Sequence, residues 1–281
     1  MKVGLGLPTT LSGAGRETLL AWARAADAGP FSSLAALDRL GYDSFDPLAA
    51  LAAAAAVSQR VGLASMVIAG PLRNSASLAK AAKSLHLLSA GRFSLGLGLG
   101  ARPDDYELAG VPYRERGRRF DAQLADLRHI WDDPTVGPAA AGPGGPPLFV
   151  GGSSDAAFAR VARYADGYMH GGGPPHLLAR LVEKAHSAWH DASRPGRALI
   201  WGTGYFALGD GVTEAAGLAY LRHYYAFTGP FAERIAQGLL TTPQAIRQFM
   251  RGYADAGCDE LIMFPTTAGP DQIGRLADML G

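Results

Sequence analysis

Apolar residues fall along this chain in short blocks at period two, each followed by a longer block at period three to four. Residues 3–7 (VGLGL) make the first short block, closed by Pro8. Alternation over so few residues is strand spacing. Residues 17–28 (ETLLAWARAADA) carry helical spacing and stop at Gly29-Pro30. The pair then recurs. A strand at 31–37 ends in Asp38-Arg39, and an alanine-rich helix runs to Arg60, with Asp46 as N-cap and Pro47 at its first position. A strand at 61–68 and a helix at 78–90 follow, then a strand at 93–100 and a helix at 118–131. Residues 132–147 are rich in Pro, Gly and Ala. They are expected to form a surface excursion rather than a domain linker, because the alternation resumes directly after them. Strands at 148–150, 167–170, 198–208 and 260–264 then alternate with helices at 155–164, 174–192, 213–227, 230–238, 242–256 and 271–280.

Eight strands, each followed by helix, predict an α/β fold: a single (β/α)8 barrel over residues 1–281. A doubly wound open sheet is the alternative, but it usually has fewer strands. The strand at 93–100, FSLGLGLG, stands out. Leu95, Leu97 and Leu99 alternate with Gly96, Gly98 and Gly100, and nothing polar follows Ser94. Such a strand is covered on both faces. Its glycine face admits either a flat ligand or a close-packed backbone. It is not a dinucleotide fingerprint, which needs G-x-G-x-x-G opening a helix; here Ala101-Arg102-Pro103 follows and proline interrupts the line.

Composition narrows the function classes. The 26 basic and 25 acidic residues leave a formal net charge of +1, which gives no reason to expect nucleic acid or an anionic membrane as partner. The single cysteine, Cys258, excludes an internal disulfide and suits a reducing compartment. Lys2 leads directly into the first strand and the longest apolar run, 47–57, is too short to span a bilayer. A cytoplasmic protein is expected.

Barrel sites lie at the C-terminal ends of the strands, which selects the candidates. GGSSD (151–155) and GGGPP (171–175) each sit between a strand and a helix. Free backbone N–H groups there form an anion site, and two adjacent units can grip one phosphate; the competing reading is a pair of tight turns. Asp38 and Arg39 either face a ligand or pair with each other or a neighbour. Arg73, in PLRNS, either binds an anion or caps its loop. His170 ends a strand beside a glycine cluster and is a candidate proton-handling group, or else a packed barrel histidine. His186 and His190 have zinc spacing but no third ligand near in sequence, so a solvated face is expected. Cys258 is expected to be a small buried residue. Tyr224, Tyr225 and Phe227 form an aromatic run, either core or a lid. No G-x-S-x-G elbow exists, no glutamate pairs with Asp38 or Asp104 for glycoside hydrolysis, and no candidate strand end carries the lysine an aldolase would need.

Four blocks in order carry a resemblance: LDRLGYDSFDPLAALAAAAAVSQRVGLASMV (37–67), PLRNSASLAKAAKSLHLLSAGRFSLGLGLG (71–100), FVGGSSDAAFARVARYADGYMHGGG (149–173) and CDELIMFP (258–265). Together the chain resembles the bacterial luciferase-like family of flavin-dependent oxidoreductases, whose fold is a (β/α)8 barrel. The resemblance implies reduced FMN, or the deazaflavin coenzyme F-420, bound in the barrel mouth. It implies phosphate contacts from Gly151, Gly152, Ser153, Gly171 and Gly172, and a ring over Pro8, Asp38, Met66, Val67 and Gly100. It also implies a non-proline cis peptide within residues 65–67. Many members carry a histidine where Arg39 stands, and deazaflavin users often a glutamate where Ala101 stands. The expected activity is therefore a monooxygenase using reduced FMN and O2 on a small organic substrate, with a separate flavin reductase as partner and a homodimer as assembly. Asp38 and Arg39 would tune the ring, and His170 would handle protons. The alternatives are an F-420-dependent reductase or dehydrogenase transferring hydride, and a non-catalytic flavin-binding barrel.

Overall fold

Each short apolar block is a buried parallel strand. The computed structural model describes residues 1–138, 140, 142 and 144–280. Its strands are β1 (Lys2–Gly6), β2 (Ser33–Ala36), β3 (Gly62–Ser65), β4 (Ile68–Ala69), β5 (Phe93–Gly98), β6 (Leu148–Gly151), β7 (Gly167–Met169), β8 (Leu199–Phe206) and β9 (Glu260–Pro265). They pair in the order β3-β2-β1-β9-β8-β7-β6-β5-β4, and a direct β3–β5 pairing closes the ring. β3 and β4 are two halves of one stave, interrupted at Met66-Val67, whose peptide bond is cis. The result is a closed eight-staved (β/α)8 barrel, as the alternation predicts.

The period-two blocks explain the two-layered core. One face of each stave points inward, where Ala35 and Ala64 lie opposite Phe149, Met169, Trp201, Ile262 and Phe264. The other face packs beneath the helices, with Trp22, Phe93, Phe120 and Trp131 among the buried side chains. Large residues from β6 to β9 thus fill space that the alanines of β2 and β3 leave. The lower end is tied by arginines. Arg60 donates to the carbonyl oxygens of Ala26, Asp27, Gly29 and Phe31, and Arg92 donates to those of Ser58, Val61 and Ser89.

Helix boundaries follow local chemistry. Asp46 caps α2 (Pro47–Val57) by accepting from the N–H groups of Leu48 and Ala49. Asn74 caps α3 (Ser75–Leu88), which begins three residues before the apolar spacing predicts. Pro103 does not only break the glycine strand. It occupies the first position of a short helix, α4 (Pro103–Leu108), where its missing N–H costs nothing. α5 (Arg116–Asp132), α6 (Asp155–Tyr164), α7 (Pro175–Asp191), α8 (Gly211–Tyr224), α9 (Phe231–Ala236), α10 (Pro243–Asp255) and α11 (Asp271–Ala277) complete the shell with α1 (Arg16–Ala28). Among the described residues no helix is long and apolar enough to cross a membrane.

Candidate cofactor and substrate site

The upper ends of the staves converge on a cavity of about 180 Å³. Its floor is the interruption in the β3–β4 stave, Met66 and Val67, with Met169 of β7. The stretch of β5 behind it is closely packed on its glycine face. A Cβ on Gly96 would collide with the Ser65 carbonyl oxygen and the Met169 sulfur, and one on Gly98 would lie 2.8 Å from Val67 Cγ2. The close-packed backbone is thus one partner of the glycine face.

Two glycine loops form the rim. Gly151 ends β6 and Gly152 follows it, and Gly171 follows β7. Gly152 has φ +130 and Gly172 φ +105, a region side chains rarely adopt. Among the described residues, the N–H groups of Gly152, Ser153, Gly172 and Gly173 donate to no protein acceptor. Ser154 caps α6 from the same loop. Tyr253 of α10 holds the second loop from behind, its hydroxyl donating to the Gly173 carbonyl oxygen at 2.8 Å.

The roof is aromatic. Tyr224 and Tyr225, at the end of α8, close over the cavity with Tyr205 of β8. The Tyr205 and Tyr225 hydroxyls share a hydrogen bond of 2.6 Å, and Tyr220 is fastened to Thr10 at 2.6 Å. Tyr224 packs edge-on against Tyr42 from the loop after β2. Tyr224 and Tyr225 are thus both part of the inner packed cluster and part of the cavity wall, while Phe227 borders the shallower groove. A shallower groove of about 890 Å³, reached past Tyr224, lies between α8 and the loops after β1, β2 and β9.

Charged groups at the mouth are mostly paired. Asp38, whose side chain is 5% exposed, accepts from the Ala69 N–H and from Arg73 Nη2, both at 3.0 Å. Arg73 also reaches Asp46 at 2.8 Å, so its partner set is carboxylate rather than a free anion. Burial pushes the Asp38 carboxyl up from its ordinary value, against the opposing pull of Arg73. Arg39 turns away from Asp38. Its side chain, 6% exposed, pairs with Asp105 at 3.1 Å and Asp104 at 3.0 Å, tying the β2 loop to α4.

His170 lines the cavity, is 5% exposed, and has an Nε2 with no partner. Burial lowers its pKa to about 4, so it is neutral at pH 7. Its unfolded value, near 6.5, lies above the folded one, so the unfolded chain takes up its proton first as pH falls. Stability from this residue is intact above about pH 6.5 and drains away towards pH 4, by about 3 kcal/mol in all. Denaturant melts of His170→Phe and the parent between pH 7 and 4 should diverge by that amount, the parent losing more. Parallel curves would show that His170 titrates normally.

Of the residues singled out from the sequence, Asp38, Met66, Val67, Gly100, Gly151, Gly152, His170 and Gly171 line this cavity together. Pro8, Arg39, Ser153 and Gly172 do not. Pro8 is buried just after β1, Ser153 is exposed, and Arg39 borders the shallower groove. Sequence reasoning missed Thr203 and the inward reach of Arg102, while Tyr205 lies within the strand end 204–206 that the barrel rule selects. His186 and His190 do not converge: the first meets the Ala198 carbonyl oxygen and the second is exposed beside Asp191. Among the described residues no group of three or more His, Cys, Asp or Glu is placed to hold a metal. Cys258 is buried, its thiol pushed up to about 12 by burial.

A family model described as luciferase-like monooxygenase matches residues 1–274. The chain belongs to this family. An uncharacterised protein of Mycobacterium tuberculosis is 37% identical over 155 residues, covering 51% of this chain and 54% of that protein. The chain thus spans about half the length of the curated relatives it matches. A phthiodiolone/phenolphthiodiolone dimycocerosates ketoreductase of Mycobacterium bovis is 43% identical over 60 residues, 21% of this luciferase-like chain and 16% of the ketoreductase. Among solved structures, monooxygenase RslO1 from Streptomyces bottropensis aligns over 99% of this chain and 97% of its own, with TM-score 0.78 and 21% identity. An F-420-dependent secondary alcohol dehydrogenase aligns over the same shares, with TM-score 0.80 and 14% identity. At these identities the likeness is one of fold.

Proposed function

We propose that this luciferase-like chain is a flavin-dependent monooxygenase that holds reduced FMN across the barrel mouth and oxygenates a small organic substrate with O2. The observation that carries the reading is the pair of glycine loops, with unpartnered N–H groups, at the rim of a roofed cavity. Their geometry fits a phosphate: Gly152 has a left-handed φ, and a Cβ there would lie 2.9 Å from the Ala157 Cβ. The enclosed space is smaller than the roughly 300–1,000 Å³ that encloses a drug-sized ligand. A flavin would therefore place its ring under the roof and its phosphate tail at the exposed rim, where Gly152 and Gly171 lie.

Bound reduced FMN, supplied by a separate reductase, would provide the electrons for O2 activation; the protein supplies position, dryness and charge. Gly152, Ser153 and Gly172 hold the phosphate through their unpartnered backbone N–H groups, with Gly151 and Gly171 beside them in the same two loops. Met66 and Val67 support the ring, and Gly100 leaves it room. Tyr205, Tyr224 and Tyr225 exclude water. Asp38 sets the charge beside the ring, and Arg39 acts on it only through the loop it fixes. His170, neutral in its buried setting, offers a hydrogen bond and a proton-exchange point at Nε2.

One observation favours a second reading, reduction by hydride transfer: the relative named a ketoreductase. The deazaflavin F-420, named for the alcohol dehydrogenase of the same fold, is the hydride carrier of this reading. Titration of the purified protein with FMN and F-420, each oxidised and reduced, separates the two. Tightest binding of reduced FMN, followed by substrate-dependent oxygen uptake, is expected. Selective F-420 binding with hydride transfer would replace the first reading by the second. Binding without either turnover would leave a non-catalytic flavin barrel, and binding of neither would sink the flavin assignment.

A further inference from the structure

Among the described residues, Arg102 is the charged group lining the cavity that lacks an oppositely charged partner. Asp38 is held by Arg73 and the Ala69 N–H, and Asp105 by Arg39 and the Gly41 N–H. Arg102 makes no ion pair among the described residues. Its Nη2 donates to the Tyr224 carbonyl oxygen at 3.2 Å, and its Nε is sealed from solvent with no acceptor. The guanidinium carbon lies 4.6 Å from the Tyr224 ring centre and 4.3 Å from that of Phe227. Those rings hold the cation by its face. They accept none of the hydrogen bonds in its plane, so a buried donor is left unmet, which is costly and uncommon in folded proteins.

A carboxylate supplies what is missing. Its two oxygens match the planar donor edge of a guanidinium; because Nε is sealed from solvent, a carboxylate in the cavity reaches it only when the Tyr224 and Phe227 rings over it shift. The surroundings are planar and aromatic, with Tyr205, Tyr224 and Tyr225 lining the same space. The cofactor phosphate is the other anion near the mouth. However, Tyr224, on which Arg102 rests, packs against Tyr42 from the loop after β2, whereas the glycine loops follow β6 and β7. Arg102 itself follows β5, next to β6 in the barrel, but its guanidinium is held over the Tyr224 and Phe227 rings rather than in either glycine loop.

Resting on the reading of the mouth as a flavin site, we propose that Arg102 is the specificity-determining residue of the substrate subsite and that the substrate is a small aromatic carboxylate. Benzoate and its neutral counterpart benzamide are the probes, titrated calorimetrically into the whole protein, with and without FMN. The wild type is expected to bind benzoate about tenfold or more tightly than benzamide, and Arg102→Met to reduce that ratio to about one. Arg102→Lys keeps the charge without the fork and should fall between. FMN affinity should stay within about threefold in both variants, as expected for a residue outside the phosphate site.

Equal binding of benzoate and benzamide by the wild type would overturn the proposal. So would a variant that loses FMN but keeps riboflavin, since Arg102 would then serve the phosphate. If no flavin binds, the proposed function fails by itself, while the benzoate preference of the protein alone still decides the role of Arg102.

Discussion

Gly171→Asp is expected to weaken FMN binding about a hundredfold while leaving riboflavin binding within about threefold, by the electrostatics of adjacent like charges. The position suits the test. Gly171 is exposed, its φ is not left-handed, and a Cβ there meets nothing within 4 Å. An aspartate therefore fits without strain, and an exposed substitution of this kind changes stability by about 0.5 kcal/mol or less. Its carboxylate would stand where the unpartnered N–H groups of Gly172 and Gly173 offer an anion site. Two like charges about 5 Å apart at an effective dielectric near 20 repel by about 3 kcal/mol, and a phosphate carries nearly two charges. Gly171→Asn, of similar size without charge, should retain most of the affinity. Gly152→Asp is the less informative variant, because its φ of +130 and the nearby Ala157 Cβ strain the backbone as well. Equal loss of FMN and riboflavin in Gly171→Asp would remove the phosphate from this rim.

How far the sequence led depends on the kind of information each residue carries. Strands and helices were legible because a barrel stave and its helix have different periods, and all eight staves obeyed them. The position of the rim was legible for the same reason: each glycine cluster falls where a strand period gives way to a helix period, so it lies at the upper end of a stave. The partners of charged residues were not. Asp38 and Arg39 are neighbours in the loop after β2 but their side chains diverge, so one meets Arg73 and the other Asp104 and Asp105. Those pairings join residues more than 30 positions apart, and spacing cannot report them. Arg102 was hidden in a similar way. Pro103 marked a break in the strand, yet the turn it makes into α4 aims the preceding arginine at the roof. Only the packed aromatic rings of Tyr224 and Phe227 show where it goes.

The glycines of β5 admit a sharper test, because two neighbours on one face should fail differently. Gly96→Ala is expected to cost about 3 kcal/mol, the upper range for overpacking a core. The Ser65 hydroxyl accepts from the Gly96 N–H at 2.9 Å and donates to its carbonyl oxygen at 3.0 Å. That side chain fastens β3 to β5 just before the stave is interrupted. A Cβ on Gly96 would strike the Ser65 carbonyl oxygen and the Met169 sulfur. Backbone cannot step aside as a side-chain tip can, so the strand pairing itself must shift. For a chain of this size the loss corresponds to a melting temperature lower by roughly 6–12 °C. Gly98→Ala meets only Val67 Cγ2, at 2.8 Å, and that methyl can turn away. The movement is into the cavity floor, so thermal stability should change little while flavin affinity falls about tenfold, the usual scale for overfilling a pocket by one methyl group. Melting curves and flavin titrations on both variants separate the outcomes. If Gly96→Ala melts like the parent, β5 does not need a bare backbone there. If Gly98→Ala binds flavin as the parent does, Val67 is not part of the surface on which the ring rests.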